Sequence, residues 1–265
     1  MKFLFLLFIS LIFIAYFFKK KESFNNSSKV KHIDFQNITL EEFNKLVYSD
    51  TPIIFHNVLK NKLTLNDFCN NLGDKVINVR TGNYKTIEGR KENKLSNLNH
   101  KEKIKDYCNK FTNKDFQGYG GNNEISVEEV KKLNLIPNNN FINNFPGGKL
   151  WIGKKSSKTP LHKDRPKNLA LQIIGSKRWV IFDSKDIKNL CYDNNNNILE
   201  WSNYTLDDFN SCKSAKKANQ INLELNEGDL LYLPEQWSHD VTNTTDSVMI
   251  NFWYLNQSLW KRFNL

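Results

Sequence analysis

Residues 151–183 read WIGKKSSKTPLHKDRPKNLALQIIGSKRWVIFD, and the rest of the chain is interpreted around this stretch. Its β-branched, aromatic and other apolar residues form short runs that end at turn residues such as Gly175, a pattern typical of successive strands. His162 and Asp164 stand two apart in one of these runs. A strand would therefore present their imidazole and carboxylate on one face and turn Lys163 to the other.

A second stretch, residues 226–239, reads NEGDLLYLPEQWSH and ends at His239. A His-x-Asp pair alone is a weak signal, because such pairs occur in many surface strands. A distant histidine would complete a set of three donors. Two histidines and one carboxylate on one side of a metal, with the other positions open, form the arrangement of non-haem Fe(II) oxygenases.

Lys177 is the next residue of interest, since it precedes Trp179 and Ile181 at alternate positions after the Gly175-Ser176 turn. A lysine on the same buried face as a tryptophan needs an anionic partner, and a bound dicarboxylate would supply one. The alternative is an ordinary lysine at a hairpin end, which stays in water.

Five strings in this order and spacing resemble a known family: LWIG, TPLHKD, NLALQIIGSKRWVIF, EGDLLYLPEQWSHDV and INFWY. They resemble the JmjC or cupin-like 2-oxoglutarate oxygenases, particularly the small hydroxylases of that family. The resemblance runs from about Val30 to Tyr254 and is densest after Leu150.

The resemblance implies Fe(II) as the metal, 2-oxoglutarate as the cosubstrate and a role for seven residues. Three would bind iron: His162, Asp164 and His239. Two would hold the distal carboxylate of 2-oxoglutarate: Thr159 and Lys177. Two match positions at the metal-side end of the cosubstrate: Asn168 and Asn251. A further family tyrosine on the cosubstrate matches either Tyr107 or Tyr119, and the sequence does not choose between them.

Close strand signals with little helix after Leu150 predict two facing sheets, a double-stranded β-helix (jelly roll) of the cupin kind. The expected fold is mainly β with flanking helices, preceded by an N-terminal membrane helix. We divide the chain into a transmembrane anchor (1–21), a polar tether (22–31), a JmjC/cupin-like domain (32–256) and a short tail (257–265). Within the domain, residues 32–148 form an N-terminal α/β part and residues 149–256 the jelly-roll core.

Local signals place the helices of the N-terminal part. Thr39 and Glu42 form a capping-box pattern that predicts a helix from about Leu40 to Tyr48. A second capped helix is predicted to end at Gly73 and a third to cover residues 127–133. The insertion between Ile187 and Asn219 is predicted to be a helical loop beside the site.

Residues 3–18 are almost uninterrupted apolar and are followed by Lys19, Lys20 and Lys21. As a helix this run spans about 24 Å, slightly less than the ~30 Å hydrocarbon core of a bilayer. It is therefore a short anchor or a signal peptide. Because no small-residue cleavage pattern follows, we favour an uncleaved anchor, and the lysines predict a cytosolic domain.

The four cysteines, Cys69, Cys108, Cys191 and Cys212, contain no C-x-x-C pair, so we expect neither a zinc site nor a disulfide framework. Several asparagines begin an N-x-[ST] triplet, which we attribute to the asparagine-rich composition, among them Asn26, Asn37, Asn203, Asn243 and Asn256. We interpret His32 and His56 as structural residues.

The net charge of +10 would suit a nucleic acid or an anionic membrane surface. Lysine and asparagine are enriched throughout the chain, however, without an arginine-rich stripe or an aromatic platform, so a nucleic-acid partner is only weakly supported. The short tail lacks the long helices by which some relatives dimerise, and we expect a monomer.

The resulting functional hypothesis is a dioxygenase that hydroxylates a protein side chain with release of succinate and CO2. Three alternatives stay open: hydroxylation of an RNA nucleoside, lysine demethylation and a non-catalytic cupin that only binds a ligand.

Overall fold

The computed structural model describes residues 30–80, 99–113, 116, 118–135, 147–192 and 199–254. In these ranges the strands are β1 (Lys31–Asp34), β2 (Ile53–His56), β3 (Val76–Arg80), β4 (Asn99–Lys103), β5 (Tyr119–Ile125), β6 (Gly148–Gly153), β7 (Lys158–Asp164), β8 (Lys167–Ile174), β9 (Lys177–Phe182), β10 (Leu199–Trp201), β11 (Ile221–Leu225), β12 (Leu230–Leu233), β13 (Ser238–Asn243) and β14 (Ser247–Tyr254). The α-helices are α1 (Leu40–Leu46), α2 (Leu65–Asn71), α3 (Ile104–Asn109) and α4 (Val127–Lys132).

Capping boxes begin three of these helices, as the sequence predicts for the first two. The hydroxyls of Thr39, Thr64 and Ser126 accept from the backbone N–H three residues later, and the acidic side chain there accepts from the cap backbone. Each box satisfies two backbone N–H groups that the first helical turn leaves without a partner. The helices are shorter than predicted, because the last turn leaves α-helical geometry.

The strands form two sheets. The larger has the order β1-β2-β12-β8-β14-β6-β5-β3-β4, and the smaller has the order β10-β7-β13-β9-β11. Strands far apart in sequence are neighbours, as when β12 lies between β2 and β8. The mainly β, cupin-like prediction is therefore confirmed.

Alternate side chains of the strands enter different layers of the core. Between the sheets, Ala170, Leu231 and Met249 of the large sheet pack with Trp179 and Val241 of the small sheet. The outer face of the large sheet packs against α1, α2 and α3, and the outer face of the small sheet against the insertion. The small sheet is thus packed on both faces, against the large sheet on its inner face and against the insertion on its outer face.

Gly175 makes the turn between β8 and β9, with φ at 69°. A Cβ at this position would lie 2.1 Å from the backbone oxygen of Asp246, so only glycine fits this left-handed turn. The turn sets the register that begins β9 at Lys177.

One prediction about the outer layers is wrong. The four cysteines are paired, as Cys69–Cys108 and Cys191–Cys212, so a disulfide framework does exist. The insertion is helical, as predicted, but its helices are of the 3-10 type (Ser184–Asn189, Phe209–Ser211 and Lys213–Lys217), and it also contributes the short strand β10. The cysteines of each pair lie 39 and 21 residues apart, and spacing alone does not reveal which of them meet.

Several predictions lie outside the described residues: the anchor at 1–21, most of the tether and the tail at 257–265. In the part of the chain that the structure describes, no helix has the length and apolar character needed to cross a membrane.

Candidate active site

Three buried donors meet between the sheets. His162 and Asp164 lie on β7 and His239 on β13, and one ligand atom from each lies within 4.8 Å of the others. The register places His239 directly opposite His162, and their ring centroids are 4.1 Å apart. Lys163, between the two β7 donors, turns away and is only half-buried. The structure therefore brings together all three residues predicted to bind iron.

Backbone carbonyls fix both imidazoles in the same way. The Nδ1 of His162 lies 2.8 Å from the oxygen of Pro160, and the Nδ1 of His239 lies 3.0 Å from the oxygen of Trp237. A carbonyl only accepts, so each Nδ1 carries the proton and each Nε2 presents a lone pair. This second contact orients metal-ligating histidines in proteins.

Burial favours the neutral form of the His162 imidazole, which is the form that binds a metal. Burial first, and then the neighbouring His239, hold the pKa of His162 well below its ordinary value. Burial raises the pKa of Asp164, while His239 acts in the opposite direction. A carboxylate held in so dry a place without a hydrogen bond is costly unless a cation compensates its charge.

The donor set fits a divalent metal. Oδ2 of Asp164 is buried without a hydrogen-bond partner among the described residues and lies 3.7 Å from Nε2 of His239. Two imidazole nitrogens and one carboxylate oxygen, grouped on one side, match the facial arrangement used by non-haem iron. These residues would hold an Fe(II) ion at the inner face of the small sheet.

A β-bulge in β7 brings Thr159 to the same pocket as His162, although the two are three residues apart. His239 pairs with His162 and Val241 with Thr159, so β7 has one residue more than β13 over this interval. Pro160 lies within the bulge, where a strand tolerates proline because no ladder hydrogen bond is required of it. Without the bulge, Thr159 would face away.

Three cross-strand pairs between β9 and β13 lead away from the triad along the small sheet, and His239, Val241 and Trp179 of these pairs line the cavity. His239 lies opposite Ile181, Val241 opposite Trp179, and Asn243 opposite Lys177. Side chains two apart on a strand share a face, so the alternation predicted for β9 is present. Lys177 is thus the residue of these pairs farthest along the strands from His239, and it lies next to Tyr119, which lines the cavity.

Lys177 is completely buried, which decides between the two interpretations of its sequence position. Its Nζ donates to Oδ1 of Asn243 and lies 5.6 Å above the ring of Tyr119. Among the described residues no carboxylate forms an ion pair with it, and burial lowers its pKa to about 7. A buried lysine without a protein anion is a candidate binding residue for an anionic ligand.

Asn168 and Asn251 are hydrogen-bonded neighbours on the facing sheet, with 2.9 Å between Nδ2 of Asn251 and Oδ1 of Asn168. Both are buried, and Nδ2 of Asn168 and Oδ1 of Asn251 have no partner among the described residues. Asn251 lines the cavity beside the triad. Asn251 therefore offers the acceptor Oδ1 to a polar ligand in the cavity, while Asn168 fixes its amide group through the hydrogen bond to Nδ2.

The two tyrosines that the sequence leaves open lie in different layers of the structure. Tyr119 lines the cavity, its hydroxyl lies 3.4 Å from Oγ1 of Thr159, and burial raises its pKa to about 12. Tyr107 packs in the layer outside the large sheet and donates to the oxygens of Gly118 and Ile152.

Aromatic walls enclose the same cavity, formed by Trp151, Trp179 and Trp253. Trp179 stacks on His239 at 5.5 Å between ring centroids. Trp201 of β10 packs against His162, with 4.9 Å between the two ring centroids. Such walls exclude water and strengthen electrostatic interactions inside.

Sequence reasoning missed Asn243, noted only as a glycosylation triplet. Its position four residues after His239 on one strand is the signal that could have found it.

His32 and His56 lie outside the candidate active site. Nδ1 of His32 is 2.9 Å from Nε2 of His56, and Nδ1 of His56 is 2.8 Å from Oδ1 of Asp229.

A jelly roll with this triad between its sheets defines the class of cupin metal-binding domains. Residues 39–259 match the family described as "Cupin-like domain", and the chain belongs to that family. Its relatives include JmjC proteins, which confirms the resemblance seen in the sequence, and the JmjC family uses Fe(II) and 2-oxoglutarate.

Three relatives illustrate the similarity. JmjC domain-containing protein C of Dictyostelium discoideum is 37% identical over 121 residues, which cover 40% of this chain and 28% of the relative. JmjC domain-containing protein D of the same organism is 27% identical over 245 residues, covering 80% and 53%. Lysine-specific demethylase JMJ30 of Arabidopsis thaliana is 27% identical over 139 residues, covering 50% and 32%. The chain thus spans about half or less of each relative's length.

Proposed function

We propose that this domain is an Fe(II)- and 2-oxoglutarate-dependent dioxygenase that hydroxylates a protein side chain, releasing succinate and CO2. The observation that carries the proposal is the buried triad whose Asp164 oxygen lacks a hydrogen-bond partner among the described residues. A triad on the cavity and a buried lysine next to the cavity residue Tyr119 suit a metal and a dicarboxylate, whereas a purely structural core requires neither.

The bound iron would supply oxidative decarboxylation of 2-oxoglutarate and oxygen insertion into a substrate C–H bond. The protein's own part is to orient and to exclude water. His162 and His239 present their Nε2 atoms because their Nδ1 protons are held by carbonyls. Asp164 supplies the anionic donor.

Lys177 and Thr159 would hold the distal carboxylate, with Tyr119 beside them. From His239 to Asn243 the strand advances about 13 Å, at 3.2–3.4 Å per residue. Lys177 is held opposite Asn243, at the far end of that distance from His239. A short dicarboxylate would lie between the iron and Lys177, with Asn168 and Asn251 at its metal-side end.

The proposed substrate class rests on the similarity to named relatives. The name of the Arabidopsis relative, a lysine-specific demethylase, supports a protein substrate and makes lysine demethylation the second candidate. Both reactions begin with oxygen insertion into a C–H bond, so the same site serves either. Formaldehyde release from a methylated lysine peptide would distinguish demethylation from stable hydroxylation.

The location is a separate part of the proposal. The apolar run at residues 3–18 supports a single-pass N-terminal anchor, with the catalytic domain as a monomer at the membrane surface. Full-length chain is then expected in the membrane fraction and is released by detergent but not by alkaline carbonate.

Succinate formation tests the enzymatic proposal. Full-length protein in mild detergent would be incubated with 2-oxoglutarate, oxygen, ascorbate and Fe(II), and succinate measured without added substrate. We expect slow, iron-dependent turnover that a His162→Ala, His239→Ala double variant abolishes. Equal succinate from the double variant, or none from the parent at saturating Fe(II), would contradict the proposal.

A further inference from the structure

All four cysteines of the sequence are used in cross-links that lie away from the candidate active site. Cys69 of α2 and Cys108 of α3 are joined with 6.3 Å between Cα atoms, in the layer outside the large sheet. Cys191 and Cys212 are joined at 6.0 Å, in the insertion behind the small sheet. Neither pair has the C-x-x-C spacing of exchange-active dithiols, so both are structural cross-links.

Structural disulfides persist in oxidising compartments, whereas cytosolic thiols are kept reduced. We infer that this domain folds on the lumenal or extracellular side of a secretory membrane, and that Asn37 is its N-glycan acceptor. This orientation is the opposite of the one expected from the lysines after the apolar run. A single basic cluster biases topology only modestly, whereas a cytosolic domain would lose both of its cross-links.

Three of the N-x-[ST] triplets lie in the described part of the chain, and the structure separates these three by accessibility. Asn37 is exposed and ends a 3-10 turn after β1, the edge strand of the large sheet, so a glycan there would project into solvent. Thr39, the third residue of the triplet, is exposed as well. The acceptor lies outside the residues that line the cavity.

Two other triplets are poor acceptors in the folded domain. Asn243 is buried, and its Nδ2 donates to the oxygens of Gly153 and Lys154. A glycan on Nδ2 would break these two hydrogen bonds, which hold the amide whose Oδ1 accepts from Lys177. Asn203 is half-buried, and its backbone N–H donates to Cys191.

Both modifications use co-reactants of such a compartment. Each cysteine pair loses two protons and two electrons as its S–S bond forms, and a disulfide-containing oxidoreductase accepts them and becomes a dithiol. For the glycan, Nδ2 of Asn37 bonds to the anomeric carbon of a lipid pyrophosphate-linked oligosaccharide. The bond from that carbon to the pyrophosphate oxygen breaks, and the amide releases one proton.

Peptide mass spectrometry of the full-length chain from cultured eukaryotic cells tests the inference. Free thiols would be alkylated before lysis, and the protein then reduced, labelled with a second reagent and treated with a glycosidase. We expect all four cysteines to carry only the second label, and the Asn37 peptide to carry the mark of a removed glycan. The Asn243 peptide should be unmodified.

Two variants sharpen the result. Asn37→Gln should lose the glycan while the cysteines stay bridged, and Thr39→Ser should keep it, because serine preserves both the triplet and the hydroxyl that caps α1. Four cysteines carrying the first label would overturn the lumenal orientation. Bridged cysteines with an unmodified Asn37 would overturn the acceptor assignment.

Discussion

Asn243 accepts a hydrogen bond from the buried ammonium of Lys177, at 2.5 Å between Oδ1 and Nζ. The same amide donates through Nδ2 to the oxygens of Gly153 and Lys154. Asn243 thus fixes the lysine to the backbone of β6 without neutralising its charge. An amide is suited to this position because it leaves the charge of Lys177 available to a ligand. The carboxylate of an aspartate would instead form an ion pair with Lys177.

Asn243→Asp should therefore weaken the cosubstrate interaction. The new carboxylate would pair with Lys177 and compete with the distal carboxylate of 2-oxoglutarate, and a charge-assisted hydrogen bond contributes about 1.5–3 kcal/mol. We expect the KM for 2-oxoglutarate to rise roughly ten- to a hundredfold. Thr242→Val is the matched control, since its hydroxyl has no partner among the described residues and the neighbouring position faces the other side. An unchanged KM in Asn243→Asp would contradict this role.

Lys177→Met tests the cation itself. Methionine keeps most of the volume and removes the charge, so the KM for 2-oxoglutarate should rise by about ten- to a hundredfold while Fe(II) affinity changes little. The control is Lys167→Met, another buried lysine, whose Nζ lies 5.2 Å above the Tyr48 ring. If Lys177→Met uses 2-oxoglutarate as well as the parent does, the lysine does not bind this cosubstrate.

The protonation of Lys177 predicts a pH dependence. Burial lowers its pKa to about 7 in the free protein, against 10.5 for an ordinary lysine. Between these values the unfolded chain binds the extra proton and the folded domain does not, so the free energy of unfolding should increase with pH.

The affinity for 2-oxoglutarate should also depend on pH, because the dicarboxylate binds the ammonium form of Lys177. This affinity should fall about tenfold per pH unit above 7. Titration calorimetry from pH 6.5 to 9 would show this slope, and its persistence in Lys177→Met would assign it to another group.

Substitutions in the triad test the metal site. His162→Ala and His239→Ala should each abolish turnover and stoichiometric Fe(II) binding, whereas Asp164→Ala should retain weak binding through two imidazoles. Anaerobic equilibrium dialysis measures the stoichiometry. His56→Ala is the control, because that imidazole lies outside the triad in contact with Asp229. Stoichiometric iron in a His162→Ala, His239→Ala double variant would rule out this site.

The sequence predicts those features whose determinants lie close together in the chain. The capping box at Thr39 and Glu42 depends on residues three apart, and the shared face of His162 and Asp164 on strand alternation. The place of His239 came from resemblance to a family, and the register between β7 and β13 confirms it geometrically.

Features that depend on register or on distant contacts escaped prediction. Alternation alone would turn Thr159 away from His162, and only the bulge around Pro160 brings them to one face. The role of Asn243 depends on its position opposite Lys177, 66 residues away. Cysteine pairing likewise requires knowledge of which outer-layer segments are neighbours.

The Cys191–Cys212 cross-link should stabilise the wall of the active site. It closes the insertion that carries Trp201, whose ring packs 4.9 Å from that of His162. Chain-entropy arguments give about 3–4 kcal/mol for a loop of this length. A Cys191→Ser, Cys212→Ser variant should therefore unfold at lower denaturant concentration and bind Fe(II) less tightly, since His162 loses support. The Cys69→Ser, Cys108→Ser variant is the matched control, because it loses a similar stability but leaves the small sheet intact. Equal weakening of Fe(II) binding in both variants would show that the insertion has no particular effect on the site.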